Sequence, residues 1–140
     1  QINKDEKFLI IGGILEEAAK SIIQMPNVTY IPQIAKTELN SYLAKMKLGL
    51  IPYIINAHTV GVYPTKLFEY LAAGVPVLST PLPEVAQYAD NDYMCISANP
   101  INVSNLAFPM HQVEDIINRN TWDVRWKNYV KNIEQCLELQ

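Results

Sequence analysis

The side chains best suited to chemistry lie around one predicted helix, which spans residues 64–74 and reads PTKLFEYLAAG. Pro64 at its start and Gly74 at its end match the preference of helices for proline at the first position and glycine after the last. The backbone N–H groups of Thr65 and Lys66 then fall in the first turn, where a helix leaves them without an internal partner. Because such amides bind phosphate groups, the pattern predicts an anion site at the start of this helix.

Lys66 and Glu69 extend this prediction from an anion to a nucleotide. A lysine in the first turn opposes the helix dipole at a cost of about 0.3–1 kcal/mol, and a bound anion reverses the sign of that cost. Glu69 follows Thr65 by one turn, and helical side chains lean toward the N-terminus, so its carboxylate can face the same entrance. A carboxylate accepts hydrogen bonds from two adjacent sugar hydroxyls. Phosphates on the amides and a ribose on Glu69 are therefore compatible.

Simpler interpretations of the same two residues stay open at this point. Glu69 can be a solvated helix residue, and Lys66 and Glu69, three positions apart, can form a surface pair that stabilises the helix by under ~0.5 kcal/mol.

Short apolar strands alternate with helices along the chain, which favours an α/β fold with a Rossmann-like parallel sheet and helices on both faces. Ligands of such sheets bind at the carboxyl ends of the strands, which directs attention to the loops at Gly12, Pro32, 56–64 and 79–84. Strands are predicted within 8–11, 28–31, 49–53, 75–79 and 93–97, and helices over 15–24, 38–46 with Thr37 as N-cap, 64–74, 84–89, 113–118 and 122–139.

Composition excludes several other classes of protein. The 140 residues, 49% hydrophobic and 18% charged, suit one folded domain, and the net charge of −3 disfavours a nucleic-acid partner. The sequence contains no run of 18 apolar residues, so no conventional membrane span is predicted. The two cysteines, Cys95 and Cys136, are more typical of a reducing compartment than of a disulfide framework. His58 and His111 stand alone, so no metal site is expected.

Residues 64–80, PTKLFEYLAAGVPVLST, followed by PEV at 83–85, resemble the donor-site signature of nucleotide-sugar-dependent glycosyltransferases. The resemblance is to the retaining, group 1 type with the two-domain GT-B fold, known from bacterial polysaccharide and cell-envelope synthesis. Segments 27–31, 38–43 and 50–52 are similar to the strand, helix and strand that precede this signature. The resemblance covers about residues 8–98 and implies the C-terminal, donor-binding half of the fold.

The resemblance also implies roles for individual residues. Glu69 matches the glutamate that binds the nucleotide ribose, and Thr65 and Lys66, which follow Pro64, match positions whose amides hold the donor diphosphate. Other matched positions contact the base edge (Gln33 and Ile34) or lie against the donor sugar (Gly61, Val62 and Tyr63). Two further candidates come from their loops: Gly12 at a tight turn near the diphosphate, and His58, which is either a donor contact or an exposed loop residue.

Departures from the family pattern suggest that 1–140 is a fragment. Gly61 stands where many members have a glutamate, and Pro32 where a glycine is common. In the family, a further strand and helix carrying an arginine–lysine pair, and a whole acceptor domain, precede the part that begins at Gln1. The resemblance therefore implies one Rossmann-like domain that is inactive alone, with a nucleotide-sugar donor, a glycan or lipid-linked acceptor held by the missing domain, and no separate cofactor.

Two functions are thus expected as alternatives. The first is a glycosyltransferase donor domain, cytoplasmic and peripheral to the inner membrane face. The second is a non-catalytic nucleotide-binding or protein-interaction module on the same fold.

The last predicted helix carries an apolar face formed by Trp122, Trp126 and Tyr129. This face predicts core packing, or partial exposure where a partner domain is absent.

Overall fold

The computed structural model describes residues 6–14, 17–88, 94–96 and 110–138. Five strands and six helices alternate within these residues, apart from two helices in succession at the end. Their bounds are β1 (Phe8–Ile11), α1 (Glu17–Ile23), β2 (Val28–Ile31), α2 (Lys36–Leu43), β3 (Gly49–Ile51), α3 (Lys66–Ala72), β4 (Val77–Ser79), α4 (Pro83–Ala86), β5 (Met94–Ile96), α5 (Met110–Arg119) and α6 (Trp122–Glu138). The chain divides into two compact units, residues 1–42 and 43–140.

The first unit is built on a parallel pair of strands. Phe8 of β1 lies opposite Val28 of β2, and the pairing continues in register to the ends of both strands. It ends at Gly12, whose N–H donates to the Ile31 carbonyl over 3.1 Å. Gly12 has φ +132°, a value that side chains disfavour, which agrees with the predicted tight turn. The Tyr30 hydroxyl donates to the Gly12 carbonyl over 2.9 Å and fixes this turn.

The second unit contains a three-stranded parallel sheet in the order β3–β4–β5. Gly49 pairs with Val77 and Ile51 with Ser79. On this sheet α3 buries Leu67 and Leu71, which are four positions apart and share one helix face. They belong to a core of residues with at most 1% exposure, namely Ile51, Leu67, Leu71, Val77, Leu82, Val85 and Val113.

One close approach sets the distance between α3 and β3. Gly49 is buried, and a Cβ built at this position would lie 2.5 Å from Cγ of Tyr70. The aromatic ring thus occupies the volume that any side chain at position 49 would need. Gly49 is therefore required by packing rather than by its backbone conformation.

The predicted α/β class with parallel strands is confirmed, while several boundaries were wrong. Thr37 is not an N-cap: α2 begins at Lys36, and the Glu38 N–H donates to the Ala35 carbonyl over 3.0 Å, which places Thr37 inside the first turn. β1 and β2 have the predicted bounds, whereas β3, β4 and β5 are shorter than predicted. The helix predicted over 64–74 is α3, Lys66–Ala72, α4 begins at Pro83 instead of Glu84, and α5 is longer at both ends than 113–118. The predicted start of α1 at residue 15 lies outside the described residues. So does the loop predicted over 99–110, except for Met110, which is the first residue of α5 and not part of a loop.

The predicted core face of α6 is exposed to solvent. Trp122, Trp126 and Tyr129 are 78%, 65% and 57% exposed, and Ile133 and Leu137 continue the same stripe. The core interpretation was therefore wrong, and the exposure anticipated for this face is observed. Half-buried positions occur only in the first half of α6, and every residue of 131–137 is exposed, so no described residue covers the second half of this helix.

None of the described helices combines the length and the apolar character needed to cross a membrane. Cys136, on α6, is an exposed free thiol. Cys95 lies opposite Leu78 in the sheet, but its side chain and that of His111 fall outside the described part of the chain.

Candidate functional site

The start of α3 leaves two backbone donors open. The Leu67 N–H donates to the Pro64 carbonyl and the Phe68 N–H to the Thr65 carbonyl, each over 3.0 Å, so the helical turn begins at the buried Pro64. Within the described residues, the amides of Thr65 and Lys66 donate no hydrogen bond. The prediction of free first-turn amides agrees with this geometry. They form the positive end of a short helix and can accept an anion.

Lys66 and Glu69 do not neutralise each other. In the described part of the chain the ion pairs are Lys20–Glu17 and Arg119–Asp115, both on exposed helix surfaces. Lys66 is exposed and Glu69 is half-buried. The alternative of a Lys66–Glu69 surface pair is thus not realised, and both charges are available to a ligand.

A cavity of about 310 Å³ lies beside Lys66. Its walls come from the carboxyl end of β3 and the segment that follows, and from the face of α3 that carries Lys66; the lining residues are Leu50, Ile51, Pro52, Tyr53, Lys66 and Tyr70. This is the place where parallel sheets bind their ligands. Burial raises the pKa of Tyr70, and the charge of Glu69 adds to the effect, so the phenol remains a neutral hydrogen-bonding group.

The loop between β3 and α3 is ordered by one asparagine. Asn56 accepts on its side-chain oxygen from the N–H groups of His58 and Thr59, over 2.9 and 3.0 Å. The Thr59 hydroxyl oxygen in turn accepts from the Asn56 N–H over 2.9 Å. This reciprocal turn leaves His58 exposed, and Ile54 is 79% exposed beside it. His58 is thereby held on the surface of this loop.

Tyr63 directs its ring toward the junction of α5 and α6. It stacks on Phe68 with 5.5 Å between ring centroids, and the Arg125 guanidinium carbon lies 3.8 Å from its centroid. Its hydroxyl donates to the side-chain oxygen of Asn120 over 3.2 Å. Gly61 and Val62, the other two residues assigned to the donor sugar, are respectively exposed and half-buried just before it.

Tyr63 should make the stability of the protein sensitive to alkaline pH. Burial raises the pKa of its phenol, and the neighbouring Tyr88 hydroxyl raises it further. A pKa raised by folding gives stability that is present below the unfolded value of about 10 and is lost as pH rises above it. Denaturant melts at about pH 8 and pH 11 should show a larger loss in the parent protein than in Tyr63→Phe. Equal losses would contradict this assignment.

The remaining candidates lie in the first unit. Gly12 ends β1 with its carbonyl held by Tyr30, Gln33 is exposed after β2, and Ile34 is half-buried. The candidates of the second unit, from His58 to Glu69, belong to the loop and helix that follow β3. Among the described residues there is no group of three side chains suited to hold a metal ion.

Sequence reasoning missed four residues at this site. Tyr53 and Tyr70 line the cavity, and Asn120 and Arg125 contact Tyr63. The four-residue spacing of Lys66 and Tyr70 places them on one helix face and was a usable signal for Tyr70. Nothing in the local pattern around Asn120 and Arg125 indicated a contact with a loop more than fifty positions earlier in the sequence.

The fold and the site define a parallel α/β protein with an anion-accepting helix start beside a strand-end cavity. The family model of glycosyl transferases group 1 matches residues 1–113. The chain therefore belongs to the group 1 glycosyltransferases, which confirms the resemblance carried by residues 64–85 and its GT-B fold.

A relative from Bacillus subtilis (strain 168) bears the name "Putative teichuronic acid biosynthesis glycosyltransferase TuaH". It is 34% identical to this chain over 68 residues, which are 49% of the chain and 17% of the relative. The matched segment thus spans less than a fifth of the relative's length.

Proposed function

We propose that this chain binds the nucleoside diphosphate part of a sugar donor, as the C-terminal donor-binding portion of a glycosyltransferase. The observation that carries the proposal is the pair of open amides at Thr65 and Lys66 beside the cavity at the end of β3. Membership of the group 1 glycosyltransferases supplies the class of ligand.

In this proposal the site acts through fixed charge and fixed dipoles. The Thr65 and Lys66 amides and the Lys66 ammonium bind the diphosphate, while Glu69 accepts from the ribose hydroxyls. When the bond between the sugar and the diphosphate breaks, negative charge develops on the diphosphate. Donors already aimed at that charge stabilise the transition state, so the chain contributes electrostatic stabilisation rather than proton transfer.

The whole protein, in the same proposal, transfers a hexosyl or related sugar to an acceptor hydroxyl on a glycan or lipid-linked acceptor. The acceptor is held by a separate N-terminal domain, and no cofactor besides the donor is needed. The name of the Bacillus subtilis relative supports a role in polysaccharide or cell-envelope synthesis. We place this activity in the cytoplasm, at the inner membrane face.

Titration with UDP, GDP and ADP, followed by amide resonances, tests the proposal. One nucleotide should shift the signals of Thr65, Lys66 and Glu69 saturably. Glu69→Ala should weaken its binding about ten- to a hundredfold, since it removes hydrogen bonds to a charged acceptor.

Glu134→Ala, which removes an exposed carboxylate from α6, is the matched control and should bind as the parent does. Equal affinity in Glu69→Ala and Glu134→Ala would overturn the ribose role of Glu69. No response of any nucleotide at these amides would overturn the donor site itself and favour a protein-interaction module.

A further inference from the structure

We infer that Asn120 and Arg125 are positioning residues of the donor site, because they hold Tyr63 and thereby the backbone that leads into the first turn of α3. The inference rests on the proposed donor function and adds to it two residues from the junction of α5 and α6. They act on the site through Tyr63 and need not touch the nucleotide.

The first step of the argument is the short covalent path from Tyr63 to the open amides. Tyr63 precedes Thr65 by two residues, and the residue between them is the buried Pro64, whose ring restricts its φ angle. A fixed Tyr63 therefore leaves the first turn of α3 little freedom. Binding sites gain affinity and rate when their donors are held in place before the ligand arrives.

The second step is that Asn120 is itself held firmly. Its side-chain nitrogen donates to the Ile116 carbonyl over 2.8 Å, which sets the orientation of the amide. Its oxygen then accepts from Tyr63, Tyr88 and Arg125 over 3.2, 3.3 and 3.4 Å. One oxygen thus connects the loop before α3 and the segment just after α4 to the first half of α6.

The third step is the contact of Arg125 with the ring of Tyr63. At 3.8 Å from the ring centroid, the guanidinium lies within the range of a cation–π interaction. It also approaches Phe68, at 5.7 Å from that centroid. Arg125 therefore contacts both aromatic residues that flank the open amides in sequence.

Arg125→Met tests the inference, with Arg119→Met as the matched control. Arg119 is also an arginine near this junction, but it pairs with Asp115 on the surface and does not touch Tyr63. Nucleotide titration should show affinity about three- to tenfold weaker in Arg125→Met and unchanged in Arg119→Met. Arg125→Lys keeps the charge but loses the planar contact, and should fall between them.

A double-mutant cycle with Tyr63→Leu separates positioning from general packing. If Arg125 acts through the ring, Arg125→Met should weaken nucleotide binding no further once Tyr63 is leucine. Additive losses of affinity in the double variant would overturn the inference.

Hydrogen exchange in the absence of nucleotide keeps this inference separate from the donor proposal. The Val62 and Leu67 amides, bonded to the Thr59 and Pro64 carbonyls, report on the segment that Tyr63 anchors. Their exchange should accelerate in Arg125→Met relative to amides of β4, and stay unchanged in Arg119→Met. Faster exchange without nucleotide binding would support positioning while refuting the donor proposal; unchanged exchange with normal binding would refute positioning alone.

Discussion

Leu71→Ala should lower the free energy of unfolding of the second unit by about 2–5 kcal/mol. Leu71 is 1% exposed and packs in the core between α3, the sheet and α5, so its loss removes buried apolar surface and leaves a cavity. The cost depends on how far the neighbours can close that space. Urea denaturation followed by circular dichroism measures it.

Leu137→Ala is the matched control for this experiment. It makes the same chemical change on α6, where the leucine is 66% exposed, so the free energy of unfolding should change by less than about 0.5 kcal/mol. Similar losses in both variants would show that Leu71 is not part of the core described here.

Gly49→Ala should destabilise the same unit by about 1–3 kcal/mol, the usual cost of adding atoms to a packed interior. The new Cβ would lie 2.5 Å from the Tyr70 ring, so either the ring or the strand must move. Because Tyr70 and Lys66 line the cavity, nucleotide affinity should also fall. Thermal unfolding and nucleotide titration of the same variant measure the two effects.

Gly61→Ala supplies the comparison for unfolding, because a Cβ at position 61 meets nothing within 4 Å. Its melting temperature should match that of the parent within about 2 °C. Tyr70→Leu combined with Gly49→Ala should recover part of the lost stability if the clash is the cause. Failure of any recovery would contradict the steric explanation.

The alternation of strands and helices was predictable because burial on both faces of a parallel sheet requires short apolar runs, such as residues 8–11 and 49–51. The start of α3 was predictable to within two residues, Lys66 instead of Pro64, because proline and glycine restrict where a helix begins and ends. Thr37 was misassigned because the hydrogen bond from the Glu38 N–H to the Ala35 carbonyl starts α2 at Lys36, two residues before the predicted start at Glu38.

The unpredicted part of the site depends on contacts between distant segments. Asn120 meets Tyr63 only because α5 packs against α3, and no local periodicity encodes that approach. The exposed face of α6 is a different case, in which the helix was predicted but its packing was not. The spacing of Trp122, Trp126 and Tyr129 predicted one apolar helix face, but spacing alone does not say which surface, if any, covers that face.

The length of α6 gives Arg125 a mechanical connection to the far end of the helix. Leu137 lies twelve positions beyond Arg125, or about 18 Å along the axis at 1.5 Å per residue. Residues 131–137 are exposed in the second half of the helix, whereas Arg125, in the first half, packs its guanidinium on the Tyr63 ring. A stiff helix held at one end is a lever arm. A sideways displacement of the helix at Leu137 would act on Tyr63, Phe68 and Asn120 together, because Arg125 contacts all three.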